Sequence, residues 1–188
     1  MWELKNPKPV KLIIGILAAN QDCLQTAVKT IEAKFGEIDF QSDVWPFTQT
    51  DYYKDQTGEN ILRQFVSIER LTNPGKLAKI KHKTNKLEQK LARRLSGGLA
   101  RQLKMSLSRP VNLDPGLIEP SKLVLVTTKN YSHRIYIGKK MYAEVTLVYD
   151  KGHWQTLPYT YPDYRQQRYF DFFEKVRTKL LEQLKSEH

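Results

Sequence analysis

Two hydroxyls, a lysine, a histidine and an arginine follow closely in Thr127-Thr128-Lys129-Asn130-Tyr131-Ser132-His133-Arg134. Each of these side chains donates to phosphate or carboxylate oxygen, so the stretch has the parts needed to hold an anion. A solvated turn would use the same residues. His133 is the one histidine inside a polar cluster and is the preferred acid/base candidate. Glu144 either bridges to Arg134 or Lys129 as a structural pair, or acts as a general base if burial raises its pKa. Upstream, Arg109-Pro110-Val111-Asn112-Leu113-Asp114-Pro115-Gly116 reads first as a Pro/Gly turn in which Asn112 and Asp114 cap backbone amides. Its second reading makes Arg109 and Asn112 ligand contacts and Asp114 a group that orients them or moves a proton. In Thr156 to Tyr164, the rings of Tyr159, Tyr161 and Tyr164 suit stacking on a base, and Asp163 suits a ribose, a base or Arg134. Aromatics beside prolines more often form a packed loop, and Asp51-Tyr52-Tyr53-Lys54 carries the same ambiguity. Taken together, Arg109, Asn112, Thr127, Thr128, Lys129, Arg134, Tyr161, Asp163 and Tyr164 would line a pocket for a small phosphorylated or carboxylated ligand, a nucleotide among the options. The catalytic candidates are His133, Glu144 and Asp114.

Several chemistries lack their motifs. There is no G-x-x-x-x-G-K-[ST] phosphate loop, and the first strand–helix turn, where one would sit, reads Ala18-Ala19-Asn20. G-x-G-x-x-G, G-x-S-x-G and H-E-x-x-H are also absent. Asp55-Gln56-Thr57-Gly58 and Asn85-Lys86-Leu87-Glu88 echo GTPase motifs faintly, and without a phosphate loop both read as chance. The single cysteine, Cys23, rules out a disulfide scaffold or a cysteine zinc site and suits a reducing compartment. No spacing points to a metal, and the residues specify no cofactor and no reaction.

Charge supplies a second function class. The net charge of +11 is concentrated between Lys76 and Arg109, where eleven Lys/Arg face one acid, Glu88. A localised cationic stripe attracts nucleic acid, phosphates or anionic surfaces. The alternative reading is therefore RNA or DNA binding through Lys79, Lys83, Lys86, Lys90 and Arg94, and a third is a protein-interaction subunit. A Lys-rich amphipathic helix is also simply a solvated surface.

These groups need elements to hold them. The chain of 188 residues, 40% hydrophobic and 27% charged, is the size of one domain with one sizeable core. Its one long apolar run, Leu12 to Ala19, is short of the roughly 20 residues that span a bilayer. A buried strand is the better reading, over Val10 to Leu17, and the expected location is the cytoplasm, with no membrane partner. Asn20 then caps a helix over 21–35 that Gly36 ends. Strand-like segments follow at 37–47 and 60–71. Asn73-Pro74-Gly75 opens a helix whose apolar face is Leu77, Ile80, Thr84, Leu87, Leu91 and Leu95. Ser96-Gly97-Gly98 breaks it, and 96–108 is expected to be a mobile basic insertion. Lys122 to Thr128 reads as a central strand, followed by a hairpin of 133–137 with 141–149 around Gly138. In the second arm, Met141, Ala143, Val145, Leu147 and Tyr149 alternate with Tyr142, Glu144, Thr146 and Val148, which places the polar groups opposite the core. A last helix runs over 164–184. The pattern is α+β: a single domain with a mixed β-sheet packed by about three helices.

The segments FGEIDFQSDVWPFTQTDYYKDQTG, LAKIKHKTNKLE, RPVNLDPG, TTKNYSHRIYIG, YAEVTL and TYPDYR, in this order from Pro9 to the last helix, resemble the bacterial domain-of-unknown-function family 4416. The resemblance implies a small intracellular bacterial protein and supplies no catalytic residues to carry over. Some similar proteins bear a GTP-binding label, which the missing phosphate loop does not match. The stretch between Glu88 and Arg109 is longer than the family pattern.

Overall fold

The computed structural model describes residues 2–48, 57, 60–95 and 107–186. Asp51-Tyr52-Tyr53-Lys54, and residues 96–106 of the insertion expected over 96–108, lie outside the described residues.

β1 (Lys11–Ala18) is buried at all eight positions, and beyond Lys11 it is an apolar run with cover on both faces. Asn20 accepts the Cys23 amide at 2.9 Å and so caps α1 (Gln21–Phe35). Gly36 ends that helix at φ 109, a left-handed value that side chains disfavour. β2 (Ile38–Gln41), β3 (Trp45–Pro46) and β4 (Leu62–Ile68) follow. Asn73 caps a 3-10 turn over Pro74–Lys76 that leads into α2 (Leu77–Leu95). Next come β5 (Val111–Glu119), β6 (Lys122–Thr127), β7 (Ile135–Tyr136), β8 (Tyr142–Asp150) and β9 (His153–Thr156), then a 3-10 turn over Pro162–Arg165 and α3 (Gln167–Ser186).

Among the described residues the nine strands form one sheet in the order β2-β4-β1-β5-β6-β8-β7. β3 lies beside β4 and β9 beside β8. Among the described residues the expected α+β class is found with three long helices, and every strand pairing is antiparallel. Alternation along β1 sends Leu12, Ile14, Ile16 and Ala18 under α1 and α2, where they meet Leu24, Ile31, Leu87 and Leu91. Ile13 points to the other face and joins Phe65, Ile118 and Leu123 beneath Tyr169, Phe173 and Val176 of α3. Each such burial stabilises by about 1.5–3 kcal/mol, so the central strands are held from both sides.

Two expectations are corrected. The stretch 109–116 is not a turn, because Val111–Glu119 is a strand paired along the length of β1. Secondly, β8 does not keep one core face. Leu123 faces Leu147 but Val124 faces Val145, so Thr146 is an extra residue in the ladder, a β-bulge. Ala143 therefore packs against the α1/α2 core while Leu147 enters the α3 core. Glu144 and Thr146, expected on an open polar face, are buried. The last helix begins at Gln167, and Tyr164 belongs to the turn before it.

Candidate functional site

The expected site residues fall into two groups. The first surrounds an opening between β5 and β6. Their pairing begins only at Gly116 and Leu125, so Val111 to Pro115 pair with β1 alone. α2 fills the vacant side. Lys81 Nζ donates to the Leu113 carbonyl at 2.8 Å, and the Leu113 amide donates to Glu88 Oε1 at 2.9 Å. Arg109 donates to Glu88 Oε2 from Nε at 3.0 Å and from Nη2 at 2.6 Å, and its own carbonyl takes the Thr57 hydroxyl at 2.9 Å. Asp114 accepts Asn112 Nδ2 at 2.6 Å and lies 3.6 Å from Lys81 Nζ and 4.0 Å from Arg63 Nη1.

Arg63 is the centre of the α3 side of this group. It lies over β1 because residue 15 is glycine: a Cβ there would come within 3.0 Å of Arg63 Nη1 and of Phe65 Cε1. Nη2 donates to Asp163 Oδ2 at 2.8 Å, and the guanidinium faces Phe47, Phe65 and Tyr164 at 5.0, 5.3 and 5.8 Å. Burial opposes its charge, but Tyr164, Asp163, Tyr169 and Asp114 more than offset this and raise its pKa. Burial also pushes the Asp163 carboxyl up against the attraction of Arg63, and the Glu88 carboxyl up against Lys81, Arg109 and the Leu113 amide.

The second group is built on the bulge. Glu144, only 3% exposed, accepts His133 Nε2 and Arg134 Nε at Oε2, both at 2.9 Å, and the Thr146 hydroxyl at Oε1 at 3.1 Å. The bulged carbonyl of Thr146 takes the Thr160 hydroxyl at 2.6 Å, which ties the tyrosine loop to β8. A carboxylate only accepts, so His133 donates to it from Nε2. The Tyr159 ring stacks on the imidazole at 4.1 Å and 8°, and the Tyr131 ring lies 5.1 Å from it. Arg134 also donates from Nη1 to the Lys129 carbonyl at 3.1 Å and from Nη2 to the Tyr161 hydroxyl at 2.6 Å. Thr127 accepts the Lys129 amide at 3.2 Å, and the side chain of Thr128 is exposed beside it.

The structure thus gathers Lys129, His133, Arg134 and Tyr161 around Glu144. Arg109 and Asn112 join Asp114, Glu88 and Lys81. Among the described residues no hydrogen bond or ion pair links Arg109 to His133 or Arg134. Asp163 pairs with Arg63, and Tyr164 is buried against Phe65 and Phe173. Arg109 and Arg134 each already meet a carboxylate. Two cavities of about 500 and 470 Å³ open elsewhere, one lined by Pro7, Thr72 and Gln183 and the other along α3 beside Phe40. Among the described residues no three His, Cys, Asp or Glu gather to hold a metal ion. Sequence reasoning missed Arg63, Lys81 and Lys11. Lys11 is wholly buried, ion-paired with Asp39 and bonded to the Ile68 and Glu69 carbonyls.

α2 presents the contrasting surface. At 100° per residue, Lys79, Lys83, Lys86, Lys90 and Arg94 fall in one stripe opposite the buried Leu77, Thr84, Glu88 and Leu91. All five are exposed, and none has an ion-pair partner among the described residues. The stripe is about 22 Å long at a rise of 1.5 Å per residue. Glu88, the only acid on the helix, faces inward.

An antiparallel α+β protein, helical on both faces of its sheet and with one bare cationic helix face, is the class these features define. A family model described as a domain of unknown function, DUF4416, matches residues 8–180, and the chain belongs to that family. No curated protein and no solved structure matches the chain. Among the described residues no helix is long and apolar enough to cross a membrane.

Proposed function

We propose that this protein binds nucleic acid, its phosphate backbone lying along the exposed face of α2. The observation that carries the reading is the stripe of Lys79, Lys83, Lys86, Lys90 and Arg94, exposed and without acidic partners among the described residues. Two of the cations first expected to hold a small anion are different, since Arg109 is paired with Glu88 and Arg134 with Glu144. A pair already formed in the protein has less to offer a phosphate than a bare ammonium, because binding must first break or share it. A bare stripe instead releases counterions from a polyanion and gains affinity with every phosphate it meets.

Fluorescence anisotropy with labelled oligonucleotides over a salt series tests this. Affinity falls with log salt at a slope of roughly −0.7 to −0.9 per phosphate contact. Replacing Lys79, Lys83 and Lys86 together by Gln lowers the magnitude of that slope by about two to three. The wild type failing to bind at low salt, or the triple variant binding equally well, would overturn the reading.

A further inference from the structure

We infer that the nucleic acid is single-stranded, with its backbone continuing from α2 onto the β7–β8 turn and one base stacking on Tyr136. The inference rests on the nucleic-acid reading of α2 and adds the site that would select the strand's form. The turn is unusual: Gly138, Lys139 and Lys140 have φ values of 84, 53 and 59°. Tight hairpins that need such left-handed residues normally take Asn-Gly or Asp-Gly there, since a side chain on a left-handed residue is strained. Here two lysines occupy the strained positions, and both are exposed. The turn is also joined to the cationic helix, because His82 of α2 donates from Nε2 to the Lys139 carbonyl at 2.8 Å. His82 lies one turn from Lys79 and Lys86, so the helix stripe and the turn make one continuous basic surface.

An aromatic ring stands just across the sheet edge from that surface: Tyr136 pairs with Tyr142, on the face of the sheet opposite α2, and a strand reaches it by passing round the β7–β8 turn. The Tyr136 hydroxyl accepts the Lys140 amide at 3.3 Å, and Tyr142 supports the ring at 5.4 Å and 61°. Tyr136 nevertheless remains 59% exposed, and its neighbour Ile135 is 72% exposed. β7 is the outermost strand, so a base can reach the ring from beyond the sheet edge. An aromatic face beside a cationic track is the arrangement that takes single strands, whose unpaired bases have free π-faces. A duplex offers phosphates to the lysines and no base to the tyrosine.

The experiment compares labelled oligo-U, oligo-dT and a duplex, each of about 15 nucleotides or base pairs, by anisotropy at low salt. Tyr136→Ala is expected to weaken the single strands by roughly tenfold and leave the duplex unchanged, while Tyr136→Phe keeps single-strand affinity. Lys139→Gln with Lys140→Gln is expected to reduce the magnitude of the single-strand salt slope by about 1.4. The U and dT arms report whether RNA or DNA is preferred. If Tyr136→Ala binds single strands as the wild type does while the Lys79/Lys83/Lys86 variant is weakened, this inference falls and the α2 reading stands. If the wild type binds neither form, the α2 reading falls first.

Discussion

Arg63 shows what a single charged residue asks of its surroundings. Its pairing with Asp163 joins β4 to the turn before α3 across an aromatic interior, and Nε and Nη1 have no hydrogen-bond partner among the described residues. Breaking such a pair leaves a bare buried charge, which costs about 3–5 kcal/mol, whereas replacing both partners by apolar residues is far milder. Arg63→Met, which leaves the Asp163 carboxylate buried and unpaired, should therefore destabilise strongly in urea titrations at neutral pH, and Arg63→Met with Asp163→Leu should recover much of the loss. The pH dependence has a definite sign. Burial raises the Asp163 carboxyl above its ordinary value of 3.8, so between that value and its folded value the folded chain binds more protons than the unfolded one. Its contribution is fully present below the unfolded value and is lost as pH rises through the folded one. The deficit of Arg63→Met should narrow on going from neutral pH to about pH 4, as the stranded carboxyl takes up a proton, and a constant or widening deficit would contradict the assignment. Part of this was legible in sequence. Arg63 alternates with Phe65 and Ser67 in Leu62–Ile68, so a charged group on a buried face could have been read there. Asp163 as its partner could not, since one hundred positions separate them.

At the scale of elements, β5 was hidden by its own composition. Pro115 and Gly116 signal a turn, yet both sit inside a paired strand. Leu113 turns its amide and carbonyl away from β1 toward α2, and Pro115, two residues on, turns the same way. The amide that proline lacks thus falls where β6 has not yet joined the ladder, so no strand partner misses it. α1 was legible to the residue and β1 to within one, because an apolar run, a cap and a terminal glycine all agree. The bulge at Thr146 was not, because it depends on where β6 shifts register. Glu88 and Lys81 take the place of a neighbouring strand for Leu113, and that role can be separated from charge. Glu88→Ala strands the Leu113 amide and should destabilise by about 1–3 kcal/mol, with faster hydrogen exchange at Leu113. Glu88→Gln keeps an acceptor oxygen and should lose less, and the exposed Lys83→Ala should stay within about 0.5 kcal/mol of wild type. Equal exchange at Leu113 in wild type and Glu88→Ala would exclude the edge-capping role.

For the whole molecule, the distribution of charge matters more than its sum. The inward charges of the sheet are matched: Lys11 with Asp39, Arg63 with Asp163, Arg109 with Glu88, Arg134 with Glu144. The excess is left on the solvent side of α2, at spacings of three and four residues where like charges repel one another. Each such neighbour pair destabilises a helix by about 0.2–0.5 kcal/mol. Glutamine matches lysine in helix propensity, so Lys79, Lys83 and Lys86 replaced by Gln remove repulsion and little else. At low salt the variant should melt higher than wild type by about 2–4 °C, taking roughly 1 kcal/mol gained in a chain of this size. Near 1 M salt, where the screening length is about 3 Å, the two should melt together. A protein that keeps this repulsion in its folded state holds the stripe against its own stability, as a surface reserved for an anionic partner would. Equal melting at low salt would mean that the lysines are already neutralised within the chain, and the stripe would then be an ordinary solvated face.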